Sequence, residues 1–160
     1  MATYSRILIP IDFSELSQEA LRQACDLARR FDAELHLVHV LETWLEAPRL
    51  SADSRPRFNE LLAEQQARAK RSLDELPDPR LGPKLAVRRV LTGNAAREIV
   101  KYADASGIDL IVLGTHGRTG MSHWMMGSVA EKVVRLAPCP VLVVRPPHMT
   151  SKPHTAGRVA

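Results

Sequence analysis

Two kinds of apolar pattern alternate along this chain of 160 residues. The first is a short continuous run: Ile7-Leu-Ile9, Leu35-His-Leu-Val-His-Val-Leu41, Leu85-Ala-Val-Arg-Arg-Val-Leu91, Leu110-Ile-Val-Leu113 and Val141-Leu-Val-Val144. Runs of this length and β-branched content predict strands of a parallel sheet buried on both faces. The second pattern repeats every three or four residues and predicts helices. One runs from about Ser17, as N-cap, to Phe31, with Ala20, Leu21, Ala24, Leu27, Ala28 and Phe31 on its apolar face. Another spans Phe58 to Leu76, with Phe58, Leu61, Leu62, Ala69, Leu73 and Leu76 on one side. A third follows the turn and cap Thr92-Gly93-Asn94, runs to about Ala105 and stops at Gly107; a fourth is Ser128 to Leu136, with Val129, Val133 and Leu136 inward. Five strands alternating with four helices predict an α/β fold, a doubly wound parallel sheet with helices on both faces. The 85–91 run is the least apolar and reads as an edge.

Between these elements, residues 42–57 carry Pro48, Ser51, Ser54 and Pro56 and read as a surface connection. Pro77, Pro79 and Pro83 around Gly82 force a second loop. Residues 1–146 make one domain, and the polar, proline-containing 147–160 read as a disordered tail. Composition narrows the function classes. No apolar run approaches membrane-spanning length, and Met1–Arg6 lacks the layout of a signal peptide, so a cytoplasmic protein with no membrane role is expected. The net charge of +4 is dispersed, and three Phe, two Tyr and two Trp are too few for a base-stacking platform, which argues against nucleic acid. Cys25 and Cys139 do not form a disulfide framework and read as structural. His36 and His39, three apart on a strand, face opposite sides and cannot pair on a metal.

The chemistry concentrates between Asp109 and Ser128. A strand stops at Gly114, glycines follow at 117, 120 and 127, and a helix begins at Ser128. Strand, glycine-rich loop and helix start make an anion cradle, because backbone N–H groups converge and the helix adds its unpaired donors and positive dipole end. The spacing Gly114-x2-Gly117-x9-Gly127-Ser128 is neither a P-loop nor a Gly-x-Gly-x-x-Gly fingerprint. It resembles the nucleotide-binding signature of the universal stress protein family, in its ATP-binding branch. Ile7-Leu-Ile-Pro-Ile-Asp-Phe-Ser14 is similar to that family's first strand, and Ala137-Pro-Cys-Pro-Val-Leu-Val-Val-Arg-Pro146 to its closing strand.

The resemblance implies the strand order 3-2-1-4-5, which the apolar pattern leaves open. The switch point then lies beyond Ile9 and Leu113, where Pro10-Ile11-Asp12 and the Gly114 loop emerge together. Asp12 would grip a ribose hydroxyl; the alternative is a carboxylate that only flanks a helix start, with Ser14 beside it. The backbone around Pro10, Ile11 and Val40 would border an adenine. Gly114 and Gly117 would let the backbone approach closely, and Gly127, Ser128 and Val129 would hold the β- and γ-phosphates. Arg118 would add a charge-assisted contact, and His116 a hydrogen bond to phosphate or ribose. His123 reads as an exposed loop histidine, Gly120 as a flexible loop residue, and Trp124, Met125 and Met126 as the underside of a loop or a partner contact.

The expected function is an ATP-binding regulatory protein without efficient turnover, since no P-loop Lys and no placed base is visible. Any Mg2+ would ride on the nucleotide's phosphates, because no carboxylate cluster is evident. The alternatives are a slow ATPase or nucleotidyl-handling enzyme on the same fold, and a nucleotide-free scaffold. A homodimer through strand 141–144 is also expected, together with a protein partner that the sequence does not identify.

Overall fold

Successive residues of a strand face opposite ways, so a strand can be apolar throughout only when both sides are covered. The computed structural model of this chain, which describes residues 4–42, 54–76, 87–115 and 126–145, meets that condition in its central strands. β1 is Arg6–Pro10 and β4 is Leu110–Gly114; they lie side by side, with Ile7 in register with Leu110. Ile7 and Ile9 enter the core on one face, and Leu8 enters the core on the other. All three are fully buried. Each stabilises the fold by about 1.5–3 kcal/mol relative to an exposed side chain.

The remaining elements are α1 (Glu15–Phe31), β2 (Glu34–Leu41), α2 (Arg55–Asp74), β3 (Val87–Thr92), α3 (Ala95–Ala105), α4 (Ser128–Leu136) and β5 (Val141–Val144). The sheet is parallel, in the order β3-β2-β1-β4-β5 that the resemblance implied. One face is covered by Ala20, Leu21, Ala24, Cys25 and Ala28 of α1 and by Leu73 of α2. The other is covered by Ala96, Ile99 and Ala103 of α3 and by Ala130 and Val133 of α4. Small residues dominate both helix faces, which lets the helices sit close to the sheet. β3 and β5 are the edges, as expected for β3 from its mixed composition.

Several boundaries depart from the sequence pattern, each for a physical reason. α1 begins at Glu15, and its N-cap is Ser14 rather than Ser17. Ser17 is instead buried inside the first turn, where its hydroxyl donates to the Ser14 carbonyl at 2.9 Å. α2 begins at Arg55, with Pro56 in its first turn, rather than at Phe58. A proline there loses nothing, because first-turn N–H groups have no intrahelical partner. Leu61 is 49% exposed, so only the last third of α2, through Ala69 and Leu73, is packed into the core. Leu136 is 62% exposed, because the inward stripe of α4 runs through Ala130 and Val133 to Ala137, and one residue is roughly 100° of helix rotation away. Gly93, between β3 and the Asn94 cap of α3, has φ +142°, a conformation that only glycine adopts without strain. No helix among the described residues is long and apolar enough to cross a membrane.

Candidate functional site

The chain leaves β1 in one direction to build β2 and β3, and later returns to β1's other side as β4. In open parallel sheets such a reversal marks where a ligand crevice is expected, here at the carboxyl ends of β1 and β4, where the β1–α1 turn and the start of α4 lie. The β1–α1 turn is tied down residue by residue. The Ile11 N–H donates to the Val38 carbonyl at 2.8 Å, and the Ile11 carbonyl accepts from His39 Nδ1 at 2.6 Å. Asp12 Oδ1 accepts from the Ser14 backbone N–H at 2.9 Å and from the Ser14 hydroxyl at 2.5 Å. Ser14 Oγ in turn accepts from the Ser17 N–H at 3.2 Å, capping α1. Of the two roles weighed for Asp12, these bonds show the bracing of the helix start, made through one oxygen.

Phe13, between Asp12 and Ser14, has φ +65°. A left-handed backbone at a non-glycine residue costs about 1–3 kcal/mol and persists only where the surroundings over-determine it. Here the Phe13 ring lies against the buried His39 ring, centroids 4.7 Å apart and tilted 44°. Neither this strain nor the His39 contact was foreseeable. Nothing in Asp-Phe-Ser signals a left-handed centre, since Phe ordinarily avoids it.

Gly114 ends β4. A Cβ on it would stand 3.0 Å from Leu16 Cβ and 3.3 Å from the Leu16 backbone. The missing side chain thus lets α1 approach β4, a packing reason that stands beside the expected one of ligand approach. Beyond it, the Thr115 N–H donates to the Val144 carbonyl at 3.0 Å, and the Gly127 N–H donates to the Thr115 carbonyl at 2.7 Å. The start of α4 is thereby fastened to the end of β4. Gly127 is the N-cap of α4, with φ −60° and no side-chain capping bond. The backbone angle does not demand glycine there. The N–H groups of Ser128 and Val129, in the first helical turn, fall outside the intrahelical pattern and carry the positive end of the helix dipole.

Ile11 and Leu113 bury their side chains in opposite cores, so they offer the crevice backbone alone. Pro10 is half-buried, and Val40 is half-buried against the α3–α4 side of the sheet. His116, Gly117 and Arg118 lie outside the described residues, as do Gly120, His123, Trp124 and Met125. The two strand histidines part as their spacing required. His36 Nδ1 lies 2.8 Å from the Tyr102 hydroxyl on the α3 side, while His39 turns to Ile11. Burial holds the His36 imidazole below its ordinary range, partly opposed by the Glu34 carboxylate 3.6 Å from Nε2.

A model of the universal stress protein family matches residues 3–145. The chain belongs to the universal stress protein family. A universal stress protein of Methanocaldococcus jannaschii is 38% identical to it over 144 residues, which cover 90% of this chain and 84% of that one. The solved universal stress protein UspA from Lactobacillus plantarum superposes with a TM-score of 0.79 at 30% identity, covering 91% of this chain and all of the other. A universal stress protein from Archaeoglobus fulgidus, solved in complex with dAMP, superposes with a TM-score of 0.53 at 21% identity, covering 89% and 98%. At that identity the likeness is one of fold.

In this universal stress protein, the described residues include no group of three or more His, Cys, Asp or Glu side chains that could hold a metal ion. Neither cysteine is in a disulfide; Cys25 lies within the α1 face of the core and Cys139 is half-buried before β5. Burial, reinforced by the Asp109 carboxylate, pushes the Cys139 thiol up, away from the reactive thiolate.

Proposed function

We propose that this chain is a cytoplasmic regulatory protein that binds ATP in the crevice beyond β1 and β4 without efficient turnover. The observation that carries this reading is the pairing of a carboxylate with an uncapped helix start across one switch point. Asp12 stands on the β1–α1 turn, and Gly127, Ser128 and Val129 open α4, whose first N–H is fastened to the end of β4. A carboxylate suits a ribose diol, and helix-start N–H groups suit phosphate oxygens. Pro10, Ile11, Val40 and Leu113 border the base, Gly114 lets the backbone come close, and His116, Gly117 and Arg118 complete the phosphate contacts. Ser14 holds Asp12 in place. Any Mg2+ is carried on the phosphates. With its Oδ1 already accepting two bonds from Ser14, Asp12 serves to hold the nucleotide rather than to activate a water.

The test is mass spectrometry of nucleotide released from denatured purified protein, followed by a turnover assay on the intact protein. Recovered ATP with negligible turnover is expected. Sustained turnover would favour a slow ATPase, and no recovered nucleotide together with no titratable affinity would overturn the reading.

The same proposal includes a homodimer through β5. This strand is a sheet edge, its Leu142 is 37% exposed, and the neighbouring Val134 and Leu136 of α4 are 42% and 62% exposed. An apolar edge offers a row of backbone groups and side chains to a second copy around a two-fold axis. Light scattering at micromolar concentration should give a dimer for the wild type and a monomer for Val143→Lys. A monomeric wild type would remove this interface.

A further inference from the structure

We propose that His39 is a positioning residue for the nucleotide, acting on Asp12 from beneath the β1–α1 turn. It rests on the reading of Asp12 as the ribose-holding carboxylate. His39 is buried on β2, in a strand that is otherwise aliphatic apart from Glu34 and His36. A buried imidazole is costly unless hydrogen-bonded. At Ile11 the carbonyl can only accept, so Nδ1 carries the proton and donates it across 2.6 Å.

That bond acts on a rigid unit. The Ile11 carbonyl belongs to the same planar peptide as the nitrogen of Asp12, so fixing its direction fixes the plane from which the Asp12 side chain departs. The other polar group of Ile11, its N–H, is held by Val38, the residue before His39 on the same strand. On the far side of Asp12, the left-handed Phe13 rests its ring on the His39 imidazole. One side chain therefore contacts the residue before the carboxylate and the residue after it. An aliphatic residue at 39 could fill the space beside Phe13, but it could not hold the Ile11 carbonyl.

The experiment is calorimetric titration of ATP into the full chain carrying Asp12→Ala, His39→Leu, both together, His39→Asn or His39→Gln, each first checked for cooperative unfolding. Asp12→Ala is expected to weaken ATP tenfold or more, and His39→Leu about tenfold, the worth of one hydrogen bond. The double variant should be no more than about twofold weaker than Asp12→Ala, because His39 acts through Asp12. His39→Asn keeps an N–H donor near the Nδ1 position and should stay within about threefold of wild type, while His39→Gln carries its donor one carbon further out and should resemble His39→Leu. Wild-type affinity in His39→Leu beside a weakened Asp12→Ala overturns the positioning role alone. Multiplying effects in the double variant do the same. Wild-type affinity in Asp12→Ala overturns the Asp12 reading itself, and the positioning role with it. Should His39→Leu fail to fold, the Asn and Gln variants decide, and equal affinity for the two overturns the proposal.

Discussion

Two helices start at the same end of the sheet, each after one of the two central strands, and they finish their first turns in opposite ways. α1 is closed by its own chain. Ser14 accepts from the Ser17 N–H, and Asp12 accepts from both Ser14 donors. α4 opens on Gly127, which has no side chain to cap it and whose own N–H is spent on Thr115. Unpaired helix-start donors are normally satisfied by a cap, by water or by a ligand. Among the described residues, a side chain thus caps one helix start, while the other, where the nucleotide's phosphates are proposed to bind, has no side-chain capping bond.

The sharpest way to break this contrast is to give α4 the cap it lacks. Gly127→Asp should weaken ATP at least about a hundredfold, about 2.8 kcal/mol, by setting a carboxylate where the phosphates would sit. The same change should leave the fold as stable as before, or more stable by a few tenths of a kcal/mol, since Asp is a better N-cap than Gly. Calorimetry and thermal unfolding on one sample check both signs; an unchanged ATP affinity would mean that α4 does not face the phosphates. The converse change removes the cap that α1 has. Ser14→Ala should cost about 1 kcal/mol of stability, a fall of roughly 2–4 °C in Tm for a chain of this size. Its effect on ATP should be smaller than that of Gly127→Asp. Ser14→Asn, which restores a capping oxygen, should recover most of the stability, to within a few tenths of a kcal/mol. A Ser14→Ala protein as stable as wild type would mean that α1 does not depend on its cap.

Much of this arrangement was legible in the residues. β5 and α4 begin and end where their apolar runs and prolines predict, and Asn94 caps α3 as its position before an apolar repeat implies. The errors fall where local pattern and burial disagree. Leu61 and Leu136 sit at helical spacing yet face outward, because periodicity defines a stripe without saying how far the sheet extends beneath it. Ser17 and Ser14 are both suitable caps by type; Asp12 decided between them by taking up Ser14.

By itself the sequence determined the kind and order of the elements, since continuous and three-to-four-residue apolar repeats can be buried only as covered strands and one-sided helices. It also determined which chemistry was present: a carboxylate after the first strand and glycines after the fourth. Only the tertiary structure decided which of those groups were already committed. Ile11 gave both its backbone groups to β2, the missing side chain of Gly114 made room for Leu16, and Phe13 took a strained backbone to reach His39. Each commitment joins residues far apart in the chain, and a local pattern carries no information about a neighbour that the fold brings in from elsewhere.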